Sequence, residues 1–174
     1  MLVLYKGAKG KGKTLTMLKD GLAYMNDGYK VYRNFDCAYG KYISNEEILK
    51  LDKDSPYEYC VIMIDELQIF FDARRSSKHQ NLNFSNFIQQ IRKRHIIILA
   101  TTQYSSTVDL RFRQNCDYVV YPNYIQELKL CEAVYVDISP LDDPFNPATE
   151  LKKVKIVFDP EPLFKMYNTD QMIR

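Results

Sequence analysis

The chain opens with five apolar residues, Met1 to Tyr5, and then passes into lysines and glycines. A short unbroken apolar run is the pattern of a strand buried on both faces. Leu15, Leu18, Leu22 and Met25 fall at helical spacing, and Asn26-Asp27-Gly28 is a helix stop. Tyr29 to Arg33 reads as a second strand. Ser44-Asn45-Glu46-Glu47 has the form of a capping box opening a short helix through Leu51, with the rest of Asn34 to Pro56 as loop. Tyr59 to Ile64 is a further buried strand that runs straight into Asp65-Glu66. Phe84, Phe87, Ile88 and Ile91 mark one face of a helix, Ile96 to Ala100 is strongly strand-like, and Asp117 to Tyr121 is a weaker strand. Leu128 to Ile138 and Lys152 to Phe158 alternate like hairpin strands, and Pro140, Pro144 and Pro147 fill the connection between them. Alternating strands and helices predict an α/β fold, a mostly parallel sheet sandwiched by helices. The expected organisation is a single domain, with a core over about residues 1–122 and an antiparallel appendage over about 123–174.

Composition narrows this picture. The 174 residues are 46% hydrophobic and 26% charged, the balance of a globular protein. Net charge is only +2, so any nucleic-acid contact has to come from a local patch or from repetition in an oligomer. Cys37, Cys60, Cys116 and Cys131 are scattered without a CxxC pair, which argues for reduced thiols in a cytosolic compartment rather than zinc or disulfides. The N-terminal run is too short for a signal peptide, and no stretch approaches the length of a membrane span.

Gly7-Ala8-Lys9-Gly10-Lys11-Gly12-Lys13-Thr14 fits G-x-x-x-x-G-K-[ST]. Glycines let the backbone wrap a phosphate without a Cβ in the way, and successive amides point inward as an anion nest. The helix that follows, beginning near Leu15, offers its positive end to the same phosphates. Lys13 can bridge the β- and γ-phosphates of ATP, and the Thr14 hydroxyl can ligate Mg²⁺. A chance match in a chain of this length is on the order of one in a hundred. Lys9 and Lys11 can reach phosphate too, although exposed loop lysines are usually only solvated.

Val61-Ile62-Met63-Ile64-Asp65-Glu66 places two acids at the end of a buried strand, where desolvation is expensive without a partner. A Mg²⁺–phosphate complex is such a partner. Asp65 would hold the metal through its water shell, and Glu66 would orient and deprotonate the attacking water. The strand at Ile96 to Ala100 ends in Thr101-Thr102-Gln103. Its carboxyl end should face the nucleotide, so Gln103 is the candidate γ-phosphate sensor and Thr102 its substitute.

Leu110-Arg111-Phe112-Arg113 supplies candidates for an arginine that stabilises transition-state charge, from the same or a neighbouring subunit. Arg113 and Arg111 lead, and Arg92 and Arg94 follow. Two basic runs, Arg74, Arg75 and Lys78 and then Arg92-Lys93-Arg94-His95, could meet a phosphate backbone or simply face solvent. His79 and His95 have no carboxylate or cysteine at ligand spacing.

A phosphate loop on the first strand, an Asp-Glu pair on a later one and a Gln-ended strand after it resemble the RecA-like, additional-strand, catalytic-glutamate P-loop NTPases. Within them the chain is similar to the HerA–FtsK group, in particular the zonula occludens toxin-like and filamentous-phage assembly ATPases and the viral genome-packaging ATPases. GAKGKGKT, Tyr32-Arg33-Asn34, IDELQIFF, IRKRHIIILATTQ, DLRFRQNCDYVVY and the closing Leu163 to Thr169 carry the likeness. The resemblance implies ATP and Mg²⁺ as cofactors, a hexameric ring of identical subunits, and movement of double-stranded DNA through its pore during genome packaging or virus extrusion. A viral capsid or membrane protein is a further partner by the same likeness, in the host cytoplasm or the virion. Phage-assembly members often carry a membrane segment and an outer domain; neither is present in these residues, which leans toward a packaging-type motor. Two rivals stand beside it. One is a nucleotide-switched assembly factor. The other is a nucleoside kinase, because IDELQIFF is also similar to a strand of type II thymidine kinases, whose zinc lasso the scattered cysteines do not provide.

Overall fold

The computed structural model describes residues 1–52, 54–71, 87–88, 91–103, 112, 114–138 and 151–167. In chain order the elements are β1 (Leu2–Lys6), α1 (Lys13–Asn26), β2 (Lys30–Arg33), β3 (Lys41–Tyr42), α2 (Asn45–Leu49), β4 (Cys60–Ile64), a 3-10 helix (Leu67–Phe71), β5 (Ile97–Thr102), β6 (Tyr118–Ile125), β7 (Leu130–Asp137), β8 (Lys153–Phe158) and α3 (Glu161–Phe164). They build one eight-stranded sheet in the order β3-β2-β4-β5-β1-β6-β7-β8. Pairing is parallel from β3 through β6 and antiparallel for β6–β7 and β7–β8.

The continuous apolar runs are buried on both faces. Leu2, Leu4, Ile62, Ile64, Ile98 and Ala100 point to one side, where Ile48, Phe70, Phe87 and Ile91 cover them. Val3, Tyr5, Val61, Met63, Ile97 and Leu99 point to the other, against Leu15 and Leu18 of α1 and Leu163 of α3. Because side chains alternate along a strand, only a run without polar residues can satisfy both layers. α1 stops where expected: Gly28 takes φ 91°, and its N–H donates to the Met25 carbonyl at 3.0 Å. The capping box at α2 is present, with the Glu47 N–H donating to Ser44 Oγ and the Ser44 N–H to Glu47 Oε2.

A half-buried polar knot ties α1 to the sheet. The Tyr5 hydroxyl donates to Asp20 Oδ2 at 2.6 Å, and the Tyr135 hydroxyl reaches the same carboxylate at 2.8 and 3.0 Å. Burial and then the adjacent Asp20 charge push both phenols well above their ordinary pKa, so both remain donors.

The antiparallel extension is present, but the expected division at residues 122 and 123 falls inside β6. That strand runs unbroken to Ile125 and pairs with β7 from Tyr118↔Asp137 to Ile125↔Leu130. Pairing of β6 with β1 ends at Tyr5↔Val120, which leaves the edge beyond it open and able to accept Pro122, a residue without an N–H. β3 and α3 were not expected; at two and four residues they are too short to show a period. The helix expected over Phe84 to Ile91 lies mostly outside the described residues, although Phe87, Ile88 and Ile91 are buried in the core.

Candidate nucleotide site

Register puts the expected site residues at one end of the sheet. Lys6 pairs with Thr102 and Ile64 with Ala100, so Gly7, Asp65 and Gln103 leave β1, β4 and β5 at the same edge. The Gly7 N–H donates to the Thr102 carbonyl at 3.4 Å, carrying the loop off the sheet beside β5. Gly10 at φ 79° and Gly12 at φ 82° are left-handed, a region that costs other residues about 1–2 kcal/mol. Gly12 is also pressed from below. A Cβ there would lie 2.9 Å from Cys131 Sγ and 3.5 Å from Tyr124 Cβ, so β6 and β7 form the floor of the loop. Gly12 precedes α1 without any capping side chain, and no acid stands in the helix's first turn. The first amides of α1 are therefore not claimed by a cap and can meet an anion. Lys13 Nζ folds back onto the Ala8 carbonyl at 3.0 Å. Burial lowers its pKa, while the nearby Asp65 and Glu66 charges raise it.

Across from the loop, Thr14 Oγ1 donates to the Asp65 carboxylate, 3.2 Å from Oδ1 and 3.3 Å from Oδ2. Asp65 is 5% exposed and is held from every side. Its N–H donates to Asn34 Oδ1 at 2.8 Å, Asn34 Nδ2 donates to its carbonyl at 3.3 Å, and Thr101 Oγ1 donates to its Oδ1. The Tyr167 hydroxyl stands 3.4 Å from Oδ2. Burial raises the Asp65 pKa, against the Thr101 and Thr14 hydrogen bonds and the Lys13 charge. Glu66 takes φ 55°, left-handed for a residue with a Cβ, and its N–H donates to Thr101 Oγ1 at 2.9 Å. Thr101 thus bridges both acids, holding the Asp65 side chain and the Glu66 backbone together.

One cavity of about 610 Å³ gathers these groups. Lys9, Gly10, Gly12, Lys13, Thr14 and Leu15 line it from the loop, Asp65, Glu66 and Gln68 from the end of β4, and Thr101, Thr102 and Gln103 from the end of β5. Gly7, Ala8 and Lys11 do not reach it; Lys11 Nζ is tied to Asn123 Oδ1 at 3.1 Å instead. Tyr124, Phe164 and Tyr167, for which the sequence carries no site motif, complete the wall. Thr101 gives no signal in the sequence either, since a buried threonine in a strand has no motif of its own. In the sequence Asn34 stands out only as the end of the Tyr32-Arg33-Asn34 stretch that carries the resemblance.

No protein-family model matches the sequence, and no curated protein sequence matches it. Solved structures do. The N-terminal domain of zonular occludens toxin from Neisseria meningitidis superposes with a TM-score of 0.62 at 18% identity, over 96% of this chain and 98% of that one. The genome-packaging NTPase B204 of Sulfolobus turreted icosahedral virus 2, solved with ATP-gammaS, gives a TM-score of 0.60 at 10% identity over 87% and 95%. The RadB recombinase gives 0.51 at 16% identity, over 87% of this chain and 85% of that one. The chain has the fold of a RecA-like P-loop NTPase. Its β5 is the additional strand, inserted between the loop-bearing β1 and the acid-bearing β4.

In this NTPase fold Arg92 and Arg94 precede β5 and so lie at the sheet end opposite the cavity of their own chain. Arg92 pairs with Asp117. Arg94 is nearly buried, donates to the Asp52 and Ser55 carbonyls, and stands 3.9 Å from Glu58. Both tie loops to the sheet, which removes them as finger candidates for that cavity. His95 stacks on Tyr59 with ring centroids 4.6 Å apart. Arg111, Arg113, Arg74, Arg75, Lys78 and His79 lie outside the described residues. Among the described residues no helix is long and apolar enough to cross a membrane, and no group of three or more His, Cys, Asp or Glu side chains is placed to hold a metal.

Proposed function

We propose that the protein hydrolyses ATP with Mg²⁺ and uses the energy to drive double-stranded DNA through a ring of identical subunits, in viral genome packaging. The observation that carries the hydrolytic half is the Thr14–Asp65 pairing, which sets a hydroxyl and a buried carboxylate side by side against the phosphate loop. Hard oxygen donors of this kind suit Mg²⁺, and a desolvated carboxylate is better stabilised beside a cation than alone. When bound, the ion would neutralise charge on the β- and γ-phosphates.

The residues then divide the work. The loop amides and the start of α1 would hold the phosphates, and Lys13 would swing from the Ala8 carbonyl to them. Glu66, fixed through its backbone to Thr101, would orient the attacking water and take its proton. Gln103 would bond the γ-phosphate and that water. An arginine from a neighbouring subunit, with Arg113 and Arg111 as candidates, would complete the site.

DNA movement rests on the fold shared with the packaging NTPase and on the basic run Arg74, Arg75 and Lys78, which a ring would multiply. ATP turnover with and without a long DNA duplex at low salt tests it, with thymidine present as a competing acceptor. Stimulation that fades steeply with salt is expected, with thymidine left unmodified. An assembled oligomer indifferent to DNA would put the nucleotide-switched assembly factor ahead, and phosphorylated thymidine would establish the kinase.

A further inference from the structure

We propose that Phe164 and Tyr124 form the stacking platform for the nucleotide base. This subsite is carried by the antiparallel extension and the C-terminal segment rather than by the phosphate-binding core, and it rests on the reading of the cavity as a nucleoside triphosphate site. The two rings meet edge to face, with centroids 5.9 Å apart and planes at 79°. Such a pair covers at most one ring face with the partner's edge and leaves the others available. Phe164 remains 41% exposed although it lines the cavity, while its neighbour Leu163 is 5% exposed and packs in the core under α1.

The location fits a base. Tyr124 Cβ stands 3.5 Å from where a Cβ on Gly12 would be, so the platform begins beside the loop that would hold the phosphates. The segment carrying Phe164 is fixed and crosses the site: the Met166 N–H donates to the Leu163 carbonyl at 3.0 Å, and the Ala38 N–H to the Met166 carbonyl at 2.9 Å. Tyr167 then bridges to Cys37 and points its hydroxyl at Asp65. A partly exposed aromatic ring held on an anchored strap against the cavity suits a flat aromatic ligand. Every base has such a face, so recognition by stacking tolerates different bases.

Calorimetric titration with Mg-ATP and with Mg-tripolyphosphate, which has the phosphates and no base, tests the platform. Phe164→Leu keeps apolar bulk and removes the π-face; Phe164→Trp keeps the face. Phe164→Leu should weaken ATP by about tenfold and leave tripolyphosphate within about twofold, and Phe164→Trp should restore ATP. Unchanged ATP affinity in Phe164→Leu, or equal loss of both ligands, overturns the platform. Failure of the unaltered protein to bind either ligand overturns the phosphate-site reading beneath it.

Discussion

Replacing Thr101 by valine probes how the two acids are held, because the change keeps shape and deletes one hydroxyl. That hydroxyl donates to Asp65 Oδ1 and accepts from the Glu66 N–H at 2.9 Å. A hydrogen bond to a buried carboxylate contributes about 1.5–3 kcal/mol, and an orphaned backbone N–H costs about 1–3 kcal/mol. Asp65 would still have Thr14 at 3.2 Å and Tyr167 at 3.4 Å, which places the loss toward the lower ends of those ranges. The expected destabilisation is therefore about 3 kcal/mol in nucleotide-free protein. Thr101→Ser keeps the hydroxyl and should cost under about 1 kcal/mol. Urea denaturation reads both. Glu66 also loses the bond that fixes its left-handed backbone, and a displacement of about 1 Å can lower turnover roughly a hundredfold. Should Thr101→Val match the parent protein in both stability and phosphate release, the bridging role is wrong.

Gly12→Ala should destabilise by about 3 kcal/mol, combining left-handed strain with the clash against Cys131, whereas Gly10→Ala, which meets nothing within 4 Å, should cost about 1 kcal/mol. Adding Cys131→Ala to Gly12→Ala should recover the clash portion; equal costs at the two glycines, or no recovery, would contradict the packing. Asp20→Ala strands the Tyr5 and Tyr135 hydroxyls and should cost about 2–3 kcal/mol in the same denaturation experiment, against about 1 kcal/mol for Tyr135→Phe. If neighbouring subunits complete each site, mixing inactive Arg113→Ala with inactive Glu66→Gln should restore ATP turnover, and specific activity should rise with protein concentration. A flat concentration dependence without complementation would indicate a self-contained monomer.

The sequence was most readable where one strong local rule governed. Two-sided burial marked β1, β4 and β5, and the glycine pattern marked the phosphate loop, because few other backbones need those residues. Strand register then carried Asp65 and Gln103 to the loop without further signal. What escaped depends on contacts between distant segments. Thr101 matters because it sits level with Asp65 on the neighbouring strand, and Asn34 because β2 ends beside β4. Tyr124 and Phe164 meet across forty residues of chain, so no spacing could have paired them. Arg92 and Arg94 show the converse: a basic run has the same composition whether it faces its own chain's cavity or ties down loops at the opposite sheet end.

The central claim is that Glu66 acts on water at a site whose phosphates Lys13 holds. It is tested most directly by measuring ATP binding and phosphate release in parallel for the parent protein, Glu66→Gln and Lys13→Ala, each with Mg²⁺ and with excess EDTA. Glu66→Gln should bind ATP normally while turnover falls about a hundredfold or more. Lys13→Ala should lose binding itself, and EDTA should stop turnover in the parent protein. Near-parental hydrolysis by Glu66→Gln would contradict the assignment.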